Sequence, residues 1–219
     1  MKEISFKDCT LDQLDDLFGL AQIEDKDCKL LERWLALANQ MDVSDFEEKS
    51  ILKLQKPLKW GGTSWNEFEL ESKFISPLIM EVEFDDRQIS YFLERYFKAT
   101  IGGYELSGTV DGVIATGFRN PKIPFFCMSE YKKSMDNAGR ADAQALAAML
   151  VAREMNENDK PIYGLYIVGL IWHFMVLEDN QYCISKGYKS EDEEVFTIFK
   201  LLKALKHIIK TELLQKEVI

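Results

Sequence analysis

Three residues in two neighbouring apolar runs could do chemistry together. YELSGTVDGVIATG carries Asp111, and IPFFCMSEYKK carries Glu130 and Lys132. Residues two apart on a strand point to the same face, so Glu130 and Lys132 share one side while Tyr131 takes the other. The 19 residues from Asp111 to Glu130 are enough for one strand to turn back beside the other. A charged acid and amine at the end of an apolar strand need solvent or a partner, because an unpaired buried charge is costly or shifts its pKa to avoid ionising. A divalent cation would satisfy the acid. Phosphodiester hydrolysis needs an activated water, neutralised phosphoryl charge and help for the leaving oxygen, which Mg²⁺ held by carboxylates can supply. Asp111 and Glu130 are the candidate ligands. Lys132 is the candidate to orient or deprotonate the attacking water and to stabilise developing negative charge.

The acid-x-Lys triplet alone says little, since it also starts at Glu24, Asp27, Glu47 and Glu71. Only at Glu130 does it close an apolar strand-like run preceded by another such run bearing an aspartate. The turn-forming FRNPK separates the two runs. Upstream, NEFELESKFISPLI sets Glu67, Glu71, Phe74, Ile75 and Leu78 on one helical face, so two carboxylates share an apolar stripe. A further amphipathic run, ISYFLERYF, ends at Ile101-Gly102-Gly103. Downstream, ADAQALAAMLVAREM reads as a helix carrying Gln144, ending near Asn156 and a polar turn to Pro161. IYGLYIVG and LIWHFMVL read as strands, with EDNQ a turn into YCIS.

This succession, a helix with an acid, a strand with Val110-Asp111, a strand with Glu130-Tyr131-Lys132, a helix with Gln144 and another strand, resembles the core of the PD-(D/E)XK nuclease superfamily over roughly residues 66–169. NEFELESKFISPLI is similar to the first core helix of nuclease domains in type I restriction enzyme motor subunits. The resemblance implies a restriction-endonuclease-like αβββαβ core. It further implies Mg²⁺, with Mn²⁺ able to substitute, held by Glu67, Asp111 and Glu130 with Glu71 in reserve, and hydrolysis of nucleic acid, with DNA the expected substrate. Lys133, Arg140 and Gln144 are then the candidate nucleic-acid contacts. The chain departs from the superfamily pattern in having Val110 where its name implies proline. It also has Ala148 four residues after Gln144, where one subgroup has tyrosine.

Ahead of this core, Thr10 with Gln13 and Ser44 with Glu47 form capping-box patterns. They predict a helical N-terminal extension over residues 1–60, and Gly61-Gly62 marks the boundary to a nuclease-like domain over 61–219. Ser190 with Glu193 predicts the cap of a last helix, whose apolar positions from Val195 to Ile209 keep the helical period. The fold class expected is α/β or α+β, a mixed sheet flanked by helices.

The chain has 219 residues, 47% of them hydrophobic, and can bury a sizeable core. Its formal charge of −10 argues against a general nucleic-acid coating protein. Between Gly117 and Arg153 the sign reverses: Arg119, Lys122, Lys132, Lys133, Arg140 and Arg153 stand against Glu130, Asp136 and Asp142, and this segment is expected to surround the site. Cys9, Cys28, Cys127 and Cys183 form no CxxC pair, which favours reduced thiols in a cytoplasmic protein over a zinc site. The acidic start lacks the pattern of a secretion signal, and the apolar stretch from Tyr163 to Leu177 reads as two strands and not a membrane span.

Several plainer readings stand beside these. Asp111-Gly112 is also a favoured hairpin turn. Glu67 and Glu71 could simply flank the helix stripe. Lys133, Arg140 and Arg153 could be solvated surface charges, and His173 a satisfied core histidine. Trp60, Trp65 and Trp172 read as packing residues. A second function class is a silent nuclease-fold module that docks a protein or nucleic acid, with the acidic surface docking a protein partner; a homodimer is a separate reading.

Overall fold

Apolar residues on both parities of a strand require cover on both faces of its sheet. In the computed structural model, which describes residues 2–133 and 140–214, that cover comes from helices packed on both sides of one mixed sheet. The chain runs β1 (Lys2–Ser5), α1 (Leu11–Phe18), β2 (Ala21–Gln22), α2 (Lys29–Ala38), α3 (Asp45–Gly61) and α4 (Glu67–Leu70). A π-helical turn (Glu71–Ile75) joins α4 to α5 (Ser76–Met80). Then follow β3 (Ser90–Ile101), β4 (Tyr104–Thr116), β5 (Lys122–Lys132), α6 (Ala141–Asn156), β6 (Ile162–Val168), β7 (Ile171–Glu178), β8 (Gln181–Ile184), β9 (Tyr188–Lys189) and α7 (Glu194–Ile208). The expected mixed sheet between helices is present. Asp136, counted in the charge reversal, lies outside the described residues.

The spatial order is β1-β4-β5-β6-β7-β8-β2, with β3 also on β4 and β9 also on β7. Strands β3, β4 and β5 are antiparallel neighbours, whereas β6 lies parallel to β5 after the α6 crossover. One apolar cluster joins this sheet to α2, α3, α5 and α7 through residues such as Trp34, Ile51, Leu78 and Phe199. The other joins it to α1 and to α6, whose Ala143, Leu146, Ala147 and Leu150 are buried.

The amphipathic run ISYFLERYF enters β3 at Ser90, and β3 pairs with β4 along nearly its whole length. Three expectations need correction. The N-terminal segment is not helical throughout: β1 adds a parallel edge to β4, and the two-residue β2 pairs with β8. Both strands are too short to show a period of two. Ser190 does not cap α7, because its hydroxyl donates to the Leu170 carbonyl and the helix starts at Glu194. Cys28 and Cys183 are joined in a disulfide although 155 residues separate them, a pairing that folding alone creates; Cys9 and Cys127 remain free and buried. The Ser44–Glu47 capping box is present in both directions, and Thr10 accepts from the Gln13 amide.

Candidate active site

The sheet opens where the sequence put its acids. One edge of β4 pairs with β1 over Tyr104–Ser107 and with β5 from Gly112 onward. Asp111 and Glu130 are the first residues beyond the Gly112–Ser129 pair, at the point where β4 and β5 part. The Asp111 carboxylate stands in for the missing ladder acceptor: its Oδ2 accepts from the Tyr131 amide at 2.6 Å. Asp111-Gly112 therefore lies inside β4, and the hairpin-turn reading is set aside. Gly112 has a local reason, since a Cβ there would sit 2.7 Å from Tyr91 Cε2 and collide with Ser129 Oγ.

Glu130 and Lys132 point the same way, as strand alternation requires, and Lys132 Nζ lies 2.9 Å from Glu130 Oε1. The same ammonium is 3.5 Å from Glu67 Oε1 and donates to the Tyr131 carbonyl at 3.0 Å. Tyr131 faces away into the core, where its hydroxyl meets that of Tyr91 at 2.6 Å and Ser129 Oγ at 3.0 Å. Those hydroxyls tie β5 to the base of β3 and fix the strand that carries Glu130.

The helix acids arrive from α4. Asn66 caps it with a two-way box through Glu69, which directs the first turn and with it Glu67. The π-helical turn begins at Glu71, a geometry found frequently at functional sites. Glu67 reaches Lys132, while half-buried Glu71 interacts with Asp111, Glu94 and Glu67. Both helix acids face the same centre.

The charges are crowded and poorly hydrated. Burial, followed by Asp111, raises the Glu130 carboxyl, with Lys132 opposing. Burial also raises Asp111, against the Tyr131 amide and Lys132. Glu71 is pushed up to about 7 by burial, then by Asp111, Glu94 and Glu67. For Lys132 burial works downward, but Glu130, Asp111 and Glu67 outweigh it and hold the ammonium high. One cation thus faces several acids, and Glu130 is only 3% exposed. Among the described residues no three Asp, Glu, His or Cys side chains form a preassembled metal cage.

No protein-family model matches this chain. No curated protein matches it either.

Other expected contacts divide. Lys133 is exposed directly after β5 and acts electrostatically on Glu69. Arg140 is exposed at the N-cap of α6 and pairs with Asp142 at 3.3 Å. Gln144 is 2% exposed, and its Nε2 has no hydrogen-bond partner among the described residues. The basic segment does not ring the site as a whole. Lys122 starts β5 eight residues before Glu130, on the order of 26 Å away along an extended strand, and Arg119 precedes it. Arg153 lies in the last turn of α6 and donates to the Asp179 carbonyl. His173 is partly buried: it stacks on Tyr166 with centroids 4.6 Å apart and engages the Ser185 carbonyl. Trp172 is buried and Trp65 packs on the core beneath Lys73, but Trp60 is 98% exposed and belongs to no core cluster among the described residues.

Sequence reasoning missed Glu94. It stands on β3 between the residues paired to Val110 and Gly112, with φ of 50°, a strained left-handed conformation for a non-glycine residue. Its charge bears on both Asp111 and Glu71. No motif marks it, because its place at the site comes from the β3–β4 register.

Proposed function

We propose that this protein is a metal-dependent nuclease of the PD-(D/E)XK kind, hydrolysing phosphodiester bonds of nucleic acid, with DNA the expected substrate. The observation that carries the reading is the convergence of Asp111, Glu130 and Lys132 where β4 and β5 part, with Glu67 reaching the same lysine from α4. The order of elements, a helix bearing the acids, three antiparallel strands, a crossover helix and a strand parallel to β5, supports it.

The donor set suits a hard divalent cation. It consists of carboxylate oxygens, the carboxyls of Asp111, Glu130 and Glu71 are desolvated and mutually repelling, and Lys132, the one ammonium acting on Asp111 and Glu130 among the described residues, neutralises only part of the charge. Asp111, Glu130 and Glu67 would hold Mg²⁺ or Mn²⁺, with Glu71 in reserve. Such an ion supplies charge neutralisation at the phosphoryl oxygen and an acidified water. The Tyr131 amide keeps one Asp111 oxygen fixed and leaves the other to turn toward a ligand. Lys132, tied to Glu130 and the Tyr131 carbonyl, is positioned to orient the attacking water and to stabilise negative charge on the phosphate.

The test is cleavage of labelled single-stranded, double-stranded and branched DNA, and of RNA, with Mg²⁺ or Mn²⁺. Wild type should cut with metal and not in EDTA, and Glu130→Ala and Lys132→Ala should lose cutting. If the variants cut like wild type, the site assignment fails. If nothing is cut and Mg²⁺ leaves the melting temperature of wild type unchanged, the silent-module reading replaces this one.

A further inference from the structure

We infer that the exposed face of α3 is a track for single-stranded nucleic acid, with Trp60 as a base-stacking platform at the end that leads into the acid-bearing helix. The inference deepens the nuclease reading and rests on it for the link between binding and cutting.

From Lys49 to Trp60 the sequence contains Lys49, Lys53, Lys56 and Lys59 and no acid, in a chain whose formal charge is −10. All four lysines are exposed. None enters an ion pair among the described residues, whereas Lys73, Lys132, Lys186, Lys203 and Lys210 all do. At 100° per residue, Lys49, Lys53, Lys56 and Trp60 fall within an arc of about 60°, and they span roughly 16 Å along the helix. Asp45 and Glu48 are the exposed acids of α3, and both lie at the N-terminal end away from Trp60.

Two features join this stripe to the candidate active site. The helix packs against the π-helical turn that begins with Glu71. Its last residue, Gly61, is followed by a short turn into Asn66 and the capped start of α4, where Glu67 directly precedes a second exposed ring, Phe68, 74% exposed. A polymer of phosphates complements the lysines, and a π face without a protein partner complements a base. That base must be unpaired, because a duplex keeps its bases stacked on one another. Single-stranded nucleic acid is therefore the occupant, and the acidic remainder of the surface opposes the broad contact that a duplex would make.

The test measures binding of a short fluorescent single strand and of the duplex of the same sequence to the full chain in EDTA, with cutting in Mg²⁺ followed in parallel. Wild type should bind the single strand more tightly than the duplex. Trp60→Ala should weaken single-strand binding roughly 5- to 150-fold, with Trp60→Phe recovering most of it. Lys53→Ala with Lys56→Ala should lower the salt dependence of binding, log K against log salt, by about 1.4. Equal binding of duplex and single strand, or single-strand binding indifferent to Trp60 and to the two lysines, overturns the track. If that indifference comes with cutting that Glu130→Ala abolishes, the nuclease reading survives alone. Binding that needs Trp60 without metal-dependent cutting leaves the track standing and overturns the nuclease reading.

Discussion

The opening between β4 and β5 and the outer face of α3 hold their charges under opposite conditions. At the opening, carboxylates are withdrawn from water and set against one another, with Lys132 as the one internal counter-charge among the described residues. On α3, four lysines stand in water with no ion-pair partner among the described residues. A desolvated charge is expensive and is retained where something binds it tightly or uses it. An exposed charge costs little, contributes little to stability and acts mainly on what approaches from solution. The contrast separates a place suited to chemistry from a place suited to capture.

The largest expected effect breaks the chemical side of this contrast. Lys132→Ala should lower kcat/KM for the best-cut substrate by roughly 10²- to 10⁴-fold, the range for a positioned general acid, base or electrostatic group. Glu130→Ala should do at least as much, while single-strand binding in EDTA stays near wild type. Steady-state cleavage and anisotropy on the same preparations check both. An equal loss of binding would mean that the two regions are not separable.

Next comes the scaffold. Gly112→Ala forces a Cβ against Tyr91 and Ser129, the groups that hold β5 to β3 through the Tyr131 hydroxyl. Overpacking of this kind costs about 1–3 kcal/mol, read as a lower urea midpoint. Cleavage should fall further than stability does, because the displaced strand carries Glu130. An unchanged midpoint would show that the opening is looser than the hydroxyl contacts imply.

Glu71 gives a prediction in pH. Its carboxyl, ordinarily at 4.5, is pushed up to about 7, chiefly by burial. Between those values the folded state binds the extra proton, so stability falls as pH rises through this window. Glu71→Gln should therefore raise the melting temperature at pH 8 by a few degrees and leave it nearly unchanged at pH 4. Mg²⁺ should stabilise wild type more at pH 8 than at pH 5, since ligands must be deprotonated to bind it. Thermal melts at each pH, with and without the ion, read both effects. Stabilisation by Mg²⁺ that is greater at pH 5 would place the ion away from these carboxylates.

What could be read from the sequence follows the range of the interactions. Asp111, Glu130 and Lys132 were legible because strand alternation is local: an acid and a lysine two apart must share a face, and apolar neighbours mark the strand. The helices at α4, α6 and α7 were legible for the same reason. Glu94 was not, because its position beside Asp111 depends on the β3–β4 register and on a positive φ. The Cys28–Cys183 pair and the edge strand β1 also come from contacts between distant parts of the chain. The basic segment around the site was misjudged because closeness in sequence was taken for closeness in space, whereas β5 carries Lys122 to its far end. Trp60 was misjudged in the opposite sense: aromatic residues are usually buried, and only the phase of α3 against its neighbours reveals that this one is not.

The smallest expected effect sharpens the other side of the contrast. Lys53→Ala combined with Lys56→Ala should change folding stability by no more than about 0.5 kcal/mol in either direction, since neither lysine has an ion-pair partner among the described residues and both are exposed. Removing two of four clustered like charges relieves some repulsion, so the sign should be zero or slightly stabilising. Urea midpoints at low salt give the test its best resolution, because screening hides such repulsion at high salt. A clear destabilisation would show that the lysines hold the helix to the body of the protein, and the stripe would then be structural.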